Sequence, residues 1–234
     1  MKNHRFLPIT ILLTLVLIFF TNINVGALNP EVSSNIENNT NHNILVDLND
    51  LKMFLIDKDT NEVIKSYPIA GGKPSTPSPI GTWTIIGKEA DWGKGFGSRW
   101  MALNVPWGKY GIHGTNKPLT IGGAESLGCI RMFNKDVEDL YKRVRVGTTV
   151  VIYGGPYGLY SNHFRNLIPG DRGADVWEVQ RRLRDKGYYL GKLDGVYGDG
   201  MKAQVIRFRK DNKLTLTHNI DKELYEKLEM NAFE

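Results

Sequence analysis

A thiol sixteen residues downstream of an imidazole, followed two residues later by a guanidinium, is a set of groups suited to acyl transfer. These groups lie between Tyr110 and Arg131, as Gly111-Ile112-His113-Gly114-Thr115 and Ser126-Leu127-Gly128-Cys129-Ile130-Arg131. A thiol attacks as its thiolate, which a neighbouring imidazole or cation favours. Arg131 shares a face with Cys129 if this piece is extended, because side chains alternate along a strand. Gly128 leaves room for a substrate and lets backbone N–H groups approach an oxyanion. Each residue also has an ordinary structural reading. A lone cysteine is often buried filler, a lone histidine is more often a hydrogen-bonded structural residue, and a lone arginine is commonly a surface ion-pair partner. The joint occurrence favours a reactive site: Cys129 is the only cysteine in 234 residues, His113 is close in sequence, and small residues flank both.

The surrounding chain has to bring these groups together. Ile44-Leu45-Val46, Met53 to Ile56, Val63 to Ala70, Thr82 to Ile86 and Thr148 to Tyr153 are apolar, β-branched runs separated by Gly, Pro, Asn and Asp. Short strands at this spacing predict a mostly β domain, a sandwich or barrel-like sheet. Lys73 to Pro79, with three prolines, and Asp91 to Ser98, with three glycines, are loops. One helix interrupts the strands. Val137, Leu140, Tyr141 and Val144 follow the helical period, Asn134 is the expected N-cap, and Asp136 in the first turn suits the helix dipole. The β domain is expected over residues 44–153 and a linker over 154–166. A small three-helix domain follows over 167–234, with stripes Val176/Val179/Leu183, Met201/Val205/Phe208 and Leu224/Tyr225/Leu228.

The N-terminus reads as a targeting signal. Lys2 and Arg5 precede an apolar run from Phe6 to Phe20, and Val25-Gly26-Ala27 supplies small residues, so residues 1–27 are expected to be a signal peptide cleaved after Ala27. The alternative is an uncleaved anchor, but the 15-residue run is short for a membrane span, which needs roughly 20; cleavage is expected, with no membrane association after it. Leu28 to Asn43 holds six asparagines and no hydrophobic period, an expected spacer. Loss of residues 1–27 removes two basic residues and no acid, lowering the formal charge from +5 to +3. That balance suits anionic envelope polymers and is too weak to argue for nucleic acid. With 41% hydrophobic and 24% charged residues the chain can pack a core. A single cysteine excludes an intramolecular disulfide framework, a zinc finger and a C-x-x-C redox centre. His4, His42, His163 and His218 have no ligand spacing with Cys129, so no metal is expected.

The H-G-T and S-x-G-C-I-R pair resembles the active-site motif of the L,D-transpeptidases, the YkuD-type enzymes that cross-link peptidoglycan. The likeness runs from Ile44 to Tyr153 and includes T-P-x-P-x-G-x-W at Thr76 to Trp83 and Gly147-Thr148-Thr149-Val150. Some members carry a second histidine where Leu127 stands here. The resemblance implies that Cys129 attacks the third residue of a stem tetrapeptide, releasing the terminal D-alanine. The thioacyl-enzyme is then resolved by a side-chain amine of another stem, giving a 3→3 cross-link. It further implies that His113 is the general acid/base and that the Gly114 carbonyl orients it. Ser126 would support the hydrogen-bond network, and the N–H groups of Gly128 and Cys129 would form an oxyanion hole. Arg131 would give electrostatic support or bind the substrate carboxylate. No cofactor is implied, and carbapenem β-lactams are implied covalent inhibitors.

Pro169-Gly170-Asp171, Val179-Gln180, Asp194-Gly195 with Tyr197-Gly198, and Val205 with Phe208 resemble the helical peptidoglycan-binding domain, with Met201 and Arg209 at two departing positions. A monomer secreted to the cell wall, tethered to glycan and acting on stem peptides, is the resulting expectation. An L,D-carboxypeptidase uses the same residues and gives the acyl group to water. A non-catalytic wall-binding protein has no use for Cys and His at this spacing. Sortases space His, Cys and Arg much further apart, and papain-like wall peptidases place Cys before His.

Overall fold

The computed structural model describes residues 41–93, 95–154 and 164–230. The expected signal peptide, nearly all of the spacer and most of the linker lie outside the described residues. The β domain contains nine strands: β1 (His42–Asp47), β2 (Lys52–Asp57), β3 (Val63–Gly72), β4 (Gly81–Ala90), β5 (Arg99–Leu103), β6 (Tyr110–His113), β7 (Ala124–Ser126), β8 (Ile130–Met132) and β9 (Thr149–Tyr153). Their order is β2-β1-β9-β4-β5-β6-β8-β3-β7, and β2 pairs with β3 as well. Eight strands therefore close into a ring and β7 hangs from β3, so the sheet is a barrel. Closure leaves the ring without a free edge.

Along β1 and β2, inward residues such as Ile44, Val46, Met53 and Leu55 are buried in one cluster, the period-two alternation of a sheet that covers a core on one face. The helix α1 (Asn134–Arg143) packs on β5 and β6 through Val137 and Leu140. Two details differ from expectation. The first strand starts at His42, within the expected spacer, because the His42 ring is buried and its Nδ1 lies 2.9 Å from the Arg143 carbonyl oxygen. Asn134 does not cap α1. The N-cap is Phe133, with no side-chain bond, and the Asn134 amide is used elsewhere.

The C-terminal domain holds α2 (Ala174–Asp185), α3 (Asp199–Asp211) and α4 (Lys222–Lys227). Their apolar stripes meet in a second core that includes Val179, Phe208 and Leu224. Arg209 is wholly buried in it. Its guanidinium donates to Asp221 (2.7 Å), Glu223 (2.9 Å) and the carbonyls of Thr215 and Asn219. The cation thus gathers the α3–α4 connection around itself. The two domains touch: Ala174, Trp177 and Val196 pack against the barrel's cluster.

Candidate active site

Strand β6 lies between β5 and β8, antiparallel to the first and parallel to the second. His113 is opposite Trp100 on one side and Arg131 on the other. Ile112 and Ile130, the paired neighbours, point into the core and are at most 1% exposed. His113, Arg131 and Cys129 share the alternate face by the same period. Cys129 immediately precedes β8. Carrying the register back one step sets it beside Gly111, whose N–H faces the sulfur. The thiol and imidazole are diagonal neighbours on one face of adjacent strands, and Cys129 is half-buried.

His113 is only 3% exposed. The cover comes from the loop after β4: Phe96 meets its ring edge-on at 5.0 Å and also packs edge-on against Trp100, on which Trp92 stacks at 4.4 Å. Asn134 Oδ1 anchors this loop, accepting from the Ser98 N–H (3.2 Å) and the Thr115 N–H (3.1 Å). Gly97 has φ +63°, and a Cβ there would lie 2.5 Å from the Gly114 carbonyl carbon, so only glycine lets the loop lie flat on the H-G-T segment. His113 Nδ1 is 2.5 Å from the Gly114 carbonyl oxygen. A carbonyl only accepts, so Nδ1 carries the hydrogen and the neutral ring keeps its lone pair on Nε2.

Burial lowers the His113 imidazolium pKa to about 4; its bond to Gly114 opposes this and the Arg131 charge reinforces it. Burial likewise raises the Cys129 thiol, with the Gly111 N–H and Arg131 pulling the other way. The resting pair at neutral pH is therefore thiol and neutral imidazole, not an ion pair.

The turn into the thiol is tied by Ser126, whose Oγ accepts the Gly128 N–H (2.9 Å) and donates to the Cys129 carbonyl (2.6 Å). The Gly128 N–H is thus engaged by the Ser126 hydroxyl, and Ser126 supports the turn that carries the thiol. Gly128 has φ +110°, and a Cβ there would meet Tyr110 Cε1 at 2.6 Å. Thr76 donates to the Ser126 carbonyl (3.1 Å), so the proline-rich loop borders the same turn. The sequence reading missed Trp100, Phe96, Asn134 and Tyr110. The signal available was the W-G-x-G-F-G-x-x-W run, aromatic and glycine-rich in a segment read only as a loop.

The family profile of the YkuD L,D-transpeptidase catalytic domain matches residues 41–152. This barrel is a YkuD-type L,D-transpeptidase catalytic domain. A putative peptidoglycan binding domain matches residues 172–228, over the three helices. The YkuD domain is similar to the putative L,D-transpeptidase YkuD of Bacillus subtilis, 50% identical over 92 residues that make up 39% of this chain and 55% of that protein. The Bacillus licheniformis counterpart is 43% identical over 111 residues, 47% of this chain and 65% of that protein. The chain thus spans 55–65% of the length of these relatives, less than two thirds of either. Among solved structures, the catalytic domain of the E. faecium L,D-transpeptidase aligns at 27% identity and a TM-score of 0.42, over 49% of this chain and 98% of that one. No helix among the described residues is long and apolar enough to cross a membrane.

Proposed function

We propose that the chain is a cell-wall L,D-transpeptidase that forms 3→3 peptidoglycan cross-links through a thioacyl-enzyme on Cys129. The observation that carries this reading is the row Trp100–His113–Arg131 with Cys129 diagonal to the imidazole, inside a YkuD-type domain joined to a peptidoglycan-binding domain.

Stem peptide entering the site excludes water from a thiol and an imidazole that are both neutral. His113 Nε2 takes the Cys129 proton as sulfur bonds to the carbonyl carbon of the third stem residue. The Gly114 carbonyl holds the ring through Nδ1–H and stabilises the imidazolium as it forms, the third-member role of a triad. The Cys129 N–H faces the oxyanion, and Arg131 supplies positive charge beside it. Collapse breaks the bond to the terminal D-alanine, whose departing amine receives the proton from His113. The side-chain amine of a second stem then attacks the thioester carbonyl, His113 accepts a proton from that amine, and the thiol recovers it. The helical domain holds glycan and keeps the enzyme beside its insoluble substrate, which raises effective concentration. The site of action is the cell wall, outside the cytoplasmic membrane.

The test is incubation with a purified tetrapeptide muropeptide, followed by mass analysis. Cross-linked dimers with loss of one D-alanine are expected. Tripeptide alone would reassign the enzyme as a carboxypeptidase, with water as acceptor. Cys129→Ala is expected to abolish both products, and an intact-mass increase at Cys129 is expected with a carbapenem. A cross-linking Ala variant would overturn the nucleophile assignment.

A further inference from the structure

We propose that the helical domain is a working part of the catalytic unit, because its Gly195 turn, seated on Trp107, positions Tyr110 and through it the Gly128–Cys129 turn. This rests on the reading of Cys129 as the acyl carrier.

The turn is built to be rigid. Gln180 is fully buried in the helical domain, and its Oε1 accepts both the Asp194 N–H (3.0 Å) and the Gly195 N–H (2.8 Å). The Gly195 carbonyl is taken by the Gly173 N–H at 3.0 Å. Gly195 has φ +65°, and a Cβ on it would lie 2.3 Å from Trp107 Cε3. The backbone therefore rests directly on the indole, with no slack for even a methyl group.

Trp107 belongs to the barrel. It is 7% exposed and meets Trp83 edge-on at 5.2 Å. Its ring centre is 6.5 Å from that of Tyr110, and its side chain hydrogen-bonds the Tyr110 hydroxyl. Tyr110 in turn lies against the Gly128 Cα, one residue before Cys129. Each step is a contact between close-packed groups, and packing of this density transmits displacement instead of absorbing it. A domain serving only as a flexible tether would need neither the buried Gln180 bracket nor the seat on Trp107.

Two variants of the full mature chain test the coupling. Gly195→Val puts a branched side chain into the indole. Trp177→Ala removes a helical-domain side chain that packs on the barrel's cluster, and leaves the residues of the Gly195 turn and of the barrel themselves unchanged. Turnover of a soluble tetrapeptide lacking glycan removes any tethering advantage. A fall in kcat of roughly ten- to a hundredfold with KM little changed is expected, since misplacement by about 1 Å can cost ~100-fold. The rate of Cys129 alkylation by iodoacetamide, and its pH profile, should shift in the same variants. Wild-type kcat and alkylation in both variants, with only sacculus binding reduced, would overturn the proposal. If Gly195→Val fails to fold, Trp177→Ala decides. If the wild type does not turn over tetrapeptide, the acyl-transfer reading falls, and the alkylation profile alone decides the coupling.

Discussion

Ser126 and Cys129 are joined by a 2.6 Å hydrogen bond from the serine hydroxyl to the cysteine carbonyl, and the same oxygen accepts the Gly128 N–H. Three residues of backbone that would otherwise be free to choose among turn conformations are thereby held in one, with Gly128 at φ +110°. Ser126→Ala strands a buried donor and an acceptor, a loss of about 1–3 kcal/mol. A lower urea midpoint and a slower acylation of Cys129 by carbapenem are expected, while Ser126→Thr keeps the hydroxyl and should restore most of both.

Acid should destabilise the protein through His113. Its pKa falls from the ordinary 6.5 to about 4 in the folded state, chiefly through burial. Between those values the unfolded chain binds a proton that the folded chain does not, so stability rises with pH across that window. The contribution is complete above about pH 6.5 and lost on acidification toward pH 4, roughly 3 kcal/mol in all. Urea titrations at stepped pH should show this slope in the wild type and a shallower one in His113→Asn.

The aromatic cover over His113 depends on Asn134. Asn134→Ala removes the acceptor shared by the Ser98 and Thr115 N–H groups, at a cost of about 1–3 kcal/mol. With the loop released and Phe96 lifted, water reaches the imidazole and its pKa should climb toward 6.5. Titration of the His113 ring protons by NMR reads this directly. An unmoved pKa in a folded variant would mean that the cover does not depend on Asn134.

In the helical domain, Arg209→Ala leaves Asp221 and Glu223 without their shared cation. Losing one partner of a buried pair costs roughly 3–5 kcal/mol, and the low end applies because both carboxylates keep contact with water. Calorimetry should show earlier melting of the helical domain, with weaker binding to sacculi.

Burial of the Cys129 thiol raises its pKa above the ordinary 9.0. In the absence of substrate, alkylation by iodoacetamide should therefore be slow at neutral pH and accelerate only under alkaline conditions. A fast, pH-independent reaction near neutrality would instead point to a preformed thiolate–imidazolium pair.

Much was legible in the sequence because it depends on local pattern. The Cys129–His113 spacing, the strands β1 to β4 and β9, and the three helical stripes follow from residue types at short range. Barrel closure was not legible. It needs the parallel pairing of β1 with β9 and the second pairing of β2 with β3, contacts between segments distant in the chain. The strand β5 was missed for a related reason: Met101 and Ala102 carry little β preference, and the neighbours β4 and β6 hold them extended.

The amino-acid sequence by itself determined which groups do chemistry and the order in which they occur, since these are matters of residue type and spacing. Only the tertiary structure decided their state and company. It set the imidazole beneath Phe96, spent the Gly128 N–H on Ser126, turned Asn134 from an expected helix cap into a loop anchor, and seated Gly195 on Trp107. Hydrogen-bond partners and desolvation are fixed by groups that meet through packing, and no local pattern along the chain encodes which groups will meet.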